Sequence, residues 1–265
     1  MKRLPLALAA LVAAVNSASA QDWAKARLDK SPRHLEWVTV THGNREVKCF
    51  IGFPEVKGKA TAVVVIHEIF GLSDWVRSVV DQLAEAGYIA IAPDFLSGAG
   101  PNGGGTAELG GGDGARGKIG SLPQSQITAD LDAAVAYVSK LPAANGKVAV
   151  GGFCWGGGKT FLYAASNPSI KAGLVFYGSA PKPEEMTSIK TPIYGFYGGT
   201  DARITAAVPQ VTEQMKAAGQ TYEPVTYEGA GHGFMRSGED PAGTEPNKKA
   251  RTEAWQRVKA ILGKI

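Results

Sequence analysis

The stretch Lys147 to Ala165, KVAVGGFCWGGGKTFLYAA, runs from a short apolar segment into a helical pattern, with Gly152-Phe153-Cys154-Trp155-Gly156 at the junction. A nucleophile on a sharp strand-to-helix turn needs residues without side chains two positions to either side, so that strand and helix can cross closely. Gly152 and Gly156 meet that demand. The turn also sets Cys154 at the start of a helix, where unsatisfied N–H groups and the helix dipole favour a thiolate. A lone cysteine is more often a small buried hydrophobe, and here the spacing argues against that fate.

A thiol nucleophile requires a base and a group that orients the base, and in enzymes built on this turn they follow in the order nucleophile, acid, histidine. Asp201, in Gly198-Gly199-Thr200-Asp201, and His232, in Gly229-Ala230-Gly231-His232-Gly233-Phe234, occur in that order. Imidazole titrates near neutrality and can take a thiol proton and return it to a leaving group; Asp201 would fix its tautomer. Each has a plain alternative, a helix-capping aspartate and an idle loop histidine. Together with Cys154 they read as a catalytic triad. His34 and His42 fall in an N-terminal hairpin and read as surface residues.

The elements that must position these groups follow from hydrophobic period. An opening hairpin, His34 to Thr41 and Glu46 to Phe53, alternates around a turn at Gly43-Asn44. Continuous apolar runs then recur at Thr61 to Ile66, Tyr88 to Ala92, Lys147 to Val150, Ala172 to Phe176 and Ile193 to Tyr197, the pattern of strands buried on both faces. Helical spacing appears at Trp75, Val79 and Leu83; at Ile127, Leu131, Ala134, Val135 and Val138; at Val208, Val211 and Met215; and at Ala254, Val258 and Ile261. This predicts an α/β fold, a mostly parallel sheet with helices on both faces and ligands at the carboxyl edge of its strands. A single domain over residues 21–265 is expected. Ser97 to Gly120, dominated by glycine, interrupts the alternation and is expected outside the core, as a lid or rim at that edge or as a loop without structure.

Composition narrows the function classes. The 265 residues are 44% hydrophobic and 20% charged, which excludes disorder and fibrous repeats. Lys2 and Arg3 precede the apolar run Leu4 to Val15 and the small-residue sequence Ala18-Ser19-Ala20, the pattern of a secretory signal peptide. The run is too short for the roughly 20 residues of a membrane span. Cleavage after Ala20 is expected, giving a secreted or periplasmic product. Loss of Lys2 and Arg3 would take 28 basic residues to 26 against 24 acidic ones, a balance that does not call for nucleic acid. Two cysteines and four histidines without paired spacing do not make a zinc site, and no dinucleotide fingerprint follows the first buried strand, so no cofactor is expected.

Three segments, HEIFGL at His67 to Leu72, GFCWGG at Gly152 to Gly157 and GAGHGFMR at Gly229 to Arg236, resemble the dienelactone hydrolases of the α/β-hydrolase superfamily. The resemblance spans roughly Val38 to Leu262. It implies a cysteine hydrolase of small-molecule esters or lactones, carboxymethylenebutenolidase-like, acting as a monomer, with Cys154, Asp201 and His232 as triad. Glu68 matches the family glutamate that contacts the resting thiol and helps to deprotonate it; its alternative is a carboxylate paired with an arginine. The N–H groups of Ile69 and Trp155 match the family's oxyanion donors, which agrees with the two loops that build such a hole in this fold. Arg236 matches one of two substrate-binding arginines. Gly98 stands near the place of the other, and Arg116 is the nearest substitute in the glycine-rich segment. Two other readings stay open: a ligand-binding protein in which Cys154 is locked to Cys49, and a thiol redox or isomerase protein in which His232 and Asp201 are idle.

Overall fold

The computed structural model describes residues 21–265, so the expected leader ending at Ala20 lies outside the described residues. In chain order the elements are α1 (Asp22–Asp29), β1 (Leu35–His42), β2 (Arg45–Gly52), β3 (Ala60–Ile66), α2 (Asp74–Glu85), β4 (Ile89–Pro93), α3 (Gly112–Ile119), α4 (Gln124–Ser139), β5 (Ala144–Phe153), α5 (Trp155–Ser166) and β6 (Gly173–Phe176). There follow α6 (Pro183–Met186), β7 (Ile193–Gly198), α7 (Ala202–Thr205), α8 (Val208–Ala217), β8 (Tyr222–Tyr227), α9 (Phe234–Ser237) and α10 (Glu245–Leu262). The strands form one sheet in the order β1-β2-β4-β3-β5-β6-β7-β8. The β1/β2 and β2/β4 pairs are antiparallel and the rest parallel, so the hairpin read from alternation forms one end of the parallel sheet.

Burial explains why the runs lack polar alternation. Every residue of β3 is buried, Ala62, Val64 and Ile66 toward one face and Val63 and Val65 toward the other. The first face packs against α4, α5 and α8 through Leu131, Phe161 and Met215; the second packs against α2 and α10 through Trp75, Val79 and Val258. A central strand covered on both faces has no position at which a polar side chain would meet water.

The glycine-rich segment departs from expectation. It holds two single-turn 3₁₀ helices, Pro101–Gly103 and Ala107–Leu109, followed by α3, and it has a small core of its own in Leu96, Ala115 and Ile119. Its anchor is polar. The buried Asp94 carboxylate accepts from the Thr106 N–H at 2.7 Å, from the Thr106 hydroxyl at 2.8 Å and from the Leu96 N–H at 3.0 Å. One charge thereby ties the carboxyl end of β4 to a loop otherwise held by few apolar contacts. His42 also departs from its reading as a surface residue. Its Nε2 lies 2.6 Å from the fully buried Asp130, which also receives Arg45 Nε at 2.8 Å, while Arg45 donates on to the carbonyls of Phe95 and Ser97. His34 is exposed.

Replacing Asp94 with alanine leaves the Thr106 N–H, the Leu96 N–H and the Thr106 hydroxyl proton without an acceptor, although that hydroxyl still accepts from the Leu72 N–H, at a cost of about 1–3 kcal/mol per stranded donor. Asp94→Ala is expected to lower the urea midpoint and to make residues 98–112 the first site of limited proteolysis. Unchanged protection of that segment would show that Asp94 is not its anchor.

Candidate active site

Backbone conformation presents the thiol. Cys154 has φ 55° and ψ −114°, a conformation that costs a residue with a side chain about 1–3 kcal/mol. The surrounding glycines have no room for anything larger: a Cβ on Gly152 would lie 2.2 Å from the Gly156 carbonyl, and one on Gly156 would lie 2.4 Å and 2.5 Å from the carbonyls of Ile66 and His67. The helix after the nucleophile therefore rests directly on the end of β3. The Cys154 N–H donates to Phe176 O at 3.0 Å and so ties the turn to β6.

The three residues read as a triad stand in line. His232 Nε2 is 3.1 Å from Cys154 Sγ, and His232 Nδ1 is 2.5 Å from Asp201 Oδ2. With Nδ1–H donated to the carboxylate, Nε2 is left to accept the thiol proton. Asp201 stands just before α7 with its side chain buried and free of any capping bond, which disposes of its reading as a simple cap. The loops carrying acid and base are joined: the Thr200 N–H and hydroxyl both donate to Ala230 O at 2.9 Å, and Asn247 Oδ1 of α10 accepts from the Gly231 N–H at 2.9 Å.

Glu68 is placed otherwise than the family resemblance implied. Its carboxylate accepts from Arg236 Nε at 2.9 Å, the arginine-paired alternative, and it is almost wholly buried. Burial pushes the Glu68 carboxyl above its ordinary value, against the pull of Arg236 and His232. Burial likewise pushes the Cys154 thiol up, and the Glu68 charge pushes it further; the Trp155 N–H and Arg203 work in the opposite direction. The Trp155 N–H at the helix N-terminus thus does pull the thiol's titration down, as its position implied, but burial and a carboxylate outweigh it and the thiol lies above its ordinary value.

Arg236 also lies over the Phe70 ring at 5.4 Å, and Arg116 lies over the same ring at 5.4 Å, so the glycine-rich segment does reach this rim. Gly98 brings no side chain there. A cavity of about 980 Å³, bounded by Phe70, Arg236, Trp37 and Thr106, opens between that segment and the hairpin. Neither the Ile69 nor the Trp155 N–H has an acceptor among the described backbone and side-chain oxygens, and Trp155 is the first helical residue, whose N–H has no partner within its own helix. Cys49 is a free, buried thiol on β2, with β4 and β3 between it and β5, so it is not bridged to Cys154. Burial, with Asp130 and Asp94, pushes the Cys49 thiol up to about 12.

Three contributors were not singled out from sequence. Tyr177, at φ 40°, sets its ring edge against His232 at 5.1 Å and buries its hydroxyl without a partner. Arg203 reaches the field of the thiol from the start of α7, and the buried His67 stacks on Trp155. A strand-end aromatic followed by glycine, Tyr177-Gly178, was the available signal for the first; the histidine of HEIFGL was that for the last.

A family model described as the dienelactone hydrolase family matches residues 47–265. "Putative carboxymethylenebutenolidase" of Methylorubrum extorquens is 32% identical over 230 residues, covering 80% of this chain and 75% of its own. The protein of the same name from Escherichia coli K12 is 34% identical over 221 residues, covering 76% of each chain. The crystal structure of "Putative Dienelactone Hydrolase" from Klebsiella pneumoniae superposes with a TM-score of 0.77 at 27% identity, over 88% of this chain and 99% of that one. The eight-stranded, mostly parallel sheet with its helices is the α/β-hydrolase fold of these relatives.

Since the Glu68 charge is second only to burial in holding the proton on Cys154, neutralising it should release that proton at lower pH. Alkylation of Cys154 by iodoacetamide is expected to accelerate through the alkaline range in the unaltered protein and to shift to lower pH in Glu68→Gln. Coincident rate profiles would show that Glu68 does not act on the thiol.

Proposed function

Because the chain belongs to the dienelactone hydrolase family, we propose that it hydrolyses small carboxylic esters or lactones, with Cys154 as nucleophile, His232 as base and Asp201 as the group that orients His232. The observation that carries this reading is the unbroken line from Asp201 Oδ2 through His232 to Cys154 Sγ at the strained turn. His232 Nε2 takes the thiol proton as sulfur attacks the carbonyl carbon. The carbonyl electron pair moves onto oxygen, which the Ile69 and Trp155 N–H groups receive. When the pair returns, the carbon–oxygen bond to the leaving group breaks and His232 passes its proton to the departing alkoxide or enolate. Water, deprotonated by His232, then attacks the thioester and releases the acid and the thiol.

The substrate class follows from what surrounds the thiol. Relatives at 32% and 34% identity bear the carboxymethylenebutenolidase name, which supports cyclic enol esters as one class. In this chain Arg236 Nε is already bonded to Glu68, which supports neutral esters and lactones, whereas Arg116 over the same Phe70 ring supports an anionic group as well. A redox or isomerase role with His232 and Asp201 idle is disfavoured, since both are bonded in line with the thiol. Export is part of the proposal and rests on the leader pattern from Lys2 to Ala20.

The test is turnover of an activated aryl ester, a simple lactone and a dienelactone by the purified protein and two variants. Cys154→Ala is expected to lose on the order of 10³-fold or more in kcat on every substrate turned over. Cys154→Ser should also fall steeply, because hydroxyl is a poorer nucleophile at a site set for a thiol. Full activity in Cys154→Ala would sink the assignment.

A further inference from the structure

His67 belongs to the motif that opens the site, yet nothing in the reaction written above uses its side chain. It follows the last residue of β3 and is completely buried. Its Nδ1–H donates to the carbonyl of Glu68 at 2.8 Å, and its Nε2 accepts from the Phe95 N–H at 3.4 Å. One neutral tautomer satisfies both bonds, whereas an imidazolium would set a second N–H against that of Phe95. Burial, which pushes the His67 imidazole below its ordinary value, keeps it neutral.

The carbonyl that His67 grips is the other end of the peptide unit that carries the Ile69 N–H. A trans peptide is planar, with C=O and N–H pointing in opposite directions, so fixing that oxygen fixes the direction of the Ile69 N–H. The Gly71 N–H donates to the same oxygen at 3.2 Å, which makes the carbonyl a doubly held pivot. The face of the imidazole stacks on Trp155, centroids 5.6 Å apart and planes at 15°, and the backbone N–H of Trp155 is the second oxyanion donor. The carbonyl of His67 itself presses on Gly156.

We propose that His67 is the positioning residue of the oxyanion hole, holding the Glu68–Ile69 peptide by hydrogen bond and the Trp155 side by stacking. The proposal rests on the hydrolase reading and adds to it the device that keeps both donors aimed before substrate arrives. Pre-set donors are what make an oxyanion hole effective, since no reorganisation is needed as charge develops.

The experiment separates oxyanion chemistry from general damage to the site by measuring two reactions of one thiol. Ester turnover builds an oxyanion; alkylation of Cys154 by iodoacetamide does not. His67→Phe keeps a ring for stacking but loses the donor and is expected to lower kcat on the order of 10²-fold, with KM and the alkylation rate within about threefold of their original values. His67→Asn can place an amide N–H near the Nδ1 position and should recover most of the lost kcat. In His67→Ala, which covers the case of a phenylalanine variant that does not fold, added imidazole is expected to raise kcat while leaving alkylation unchanged. The proposal is overturned if His67→Phe keeps its kcat, if alkylation falls in parallel with turnover, or if neither asparagine nor imidazole restores activity. Failure of the hydrolase reading would appear elsewhere, as turnover that survives Cys154→Ala with His67 intact.

Discussion

The contact on which the site depends is the absence of a side chain at Gly156. A single added carbon there would sit within 2.5 Å of two carbonyl oxygens at the end of β3, so α5 can leave the nucleophile turn only along the line that presses it onto that strand. That approach sets the separation between the Trp155 and Ile69 N–H groups, because one begins the helix and the other follows the strand. It also forces Cys154 into left-handed backbone, which lifts its sulfur clear of the turn and toward His232. Strain at the nucleophile, donor spacing and access to the base are three consequences of one steric fact.

Electrostatics then decide the state in which the nucleophile waits. A helix N-terminus argues for thiolate, but it is a partial charge at the edge of a buried site, whereas burial and the Glu68 carboxylate both push the thiol up. Arg236 offsets part of the Glu68 charge through its Nε, while its guanidinium also lies over Phe70 at the edge of the cavity. The site therefore holds three neighbouring titratable groups: the Cys154 thiol, the Glu68 carboxylate bonded to Arg236, and the His232 imidazole bonded to Asp201.

What could be read from the sequence divides along the range of the forces involved. The turn at Cys154 was legible because its demand is steric and satisfied within five residues. The order of Asp201 and His232 was legible because successive parallel strands deliver their loops to one edge. Strands β3 to β7 were legible because burial on both faces leaves long stretches, all of β3 and β4 and Val148 to Phe153 of β5 among them, without an exposed position. The glycine-rich segment was not, since its order comes from Asp94, a charge placed before it at the end of β4, and from three apolar residues spread over Leu96 to Ile119. His42 was misread for a similar reason: its partner Asp130 lies on α4, far along the chain, and no local pattern announces the pair. Tyr177 and His67 look like ordinary buried rings until the carbonyls and imidazole beside them are in place.

The same reasoning bears on which acyl compounds the cleft can accept without rearrangement. An anionic substrate group at Arg236 Nε would compete with a buried carboxylate already bonded at 2.9 Å, and Arg116, over the same Phe70 ring, is the second cation at that rim. A neutral ester would leave the Glu68 pair in place; the cavity of about 980 Å³ between the hairpin and the glycine-rich segment is lined by Phe70 and Arg236 but by none of Cys154, His232 and Asp201. The proposed choice among acyl compounds therefore rests less on the candidate triad, which any acyl transfer could use, than on the Glu68–Arg236 pair and the two arginines over Phe70.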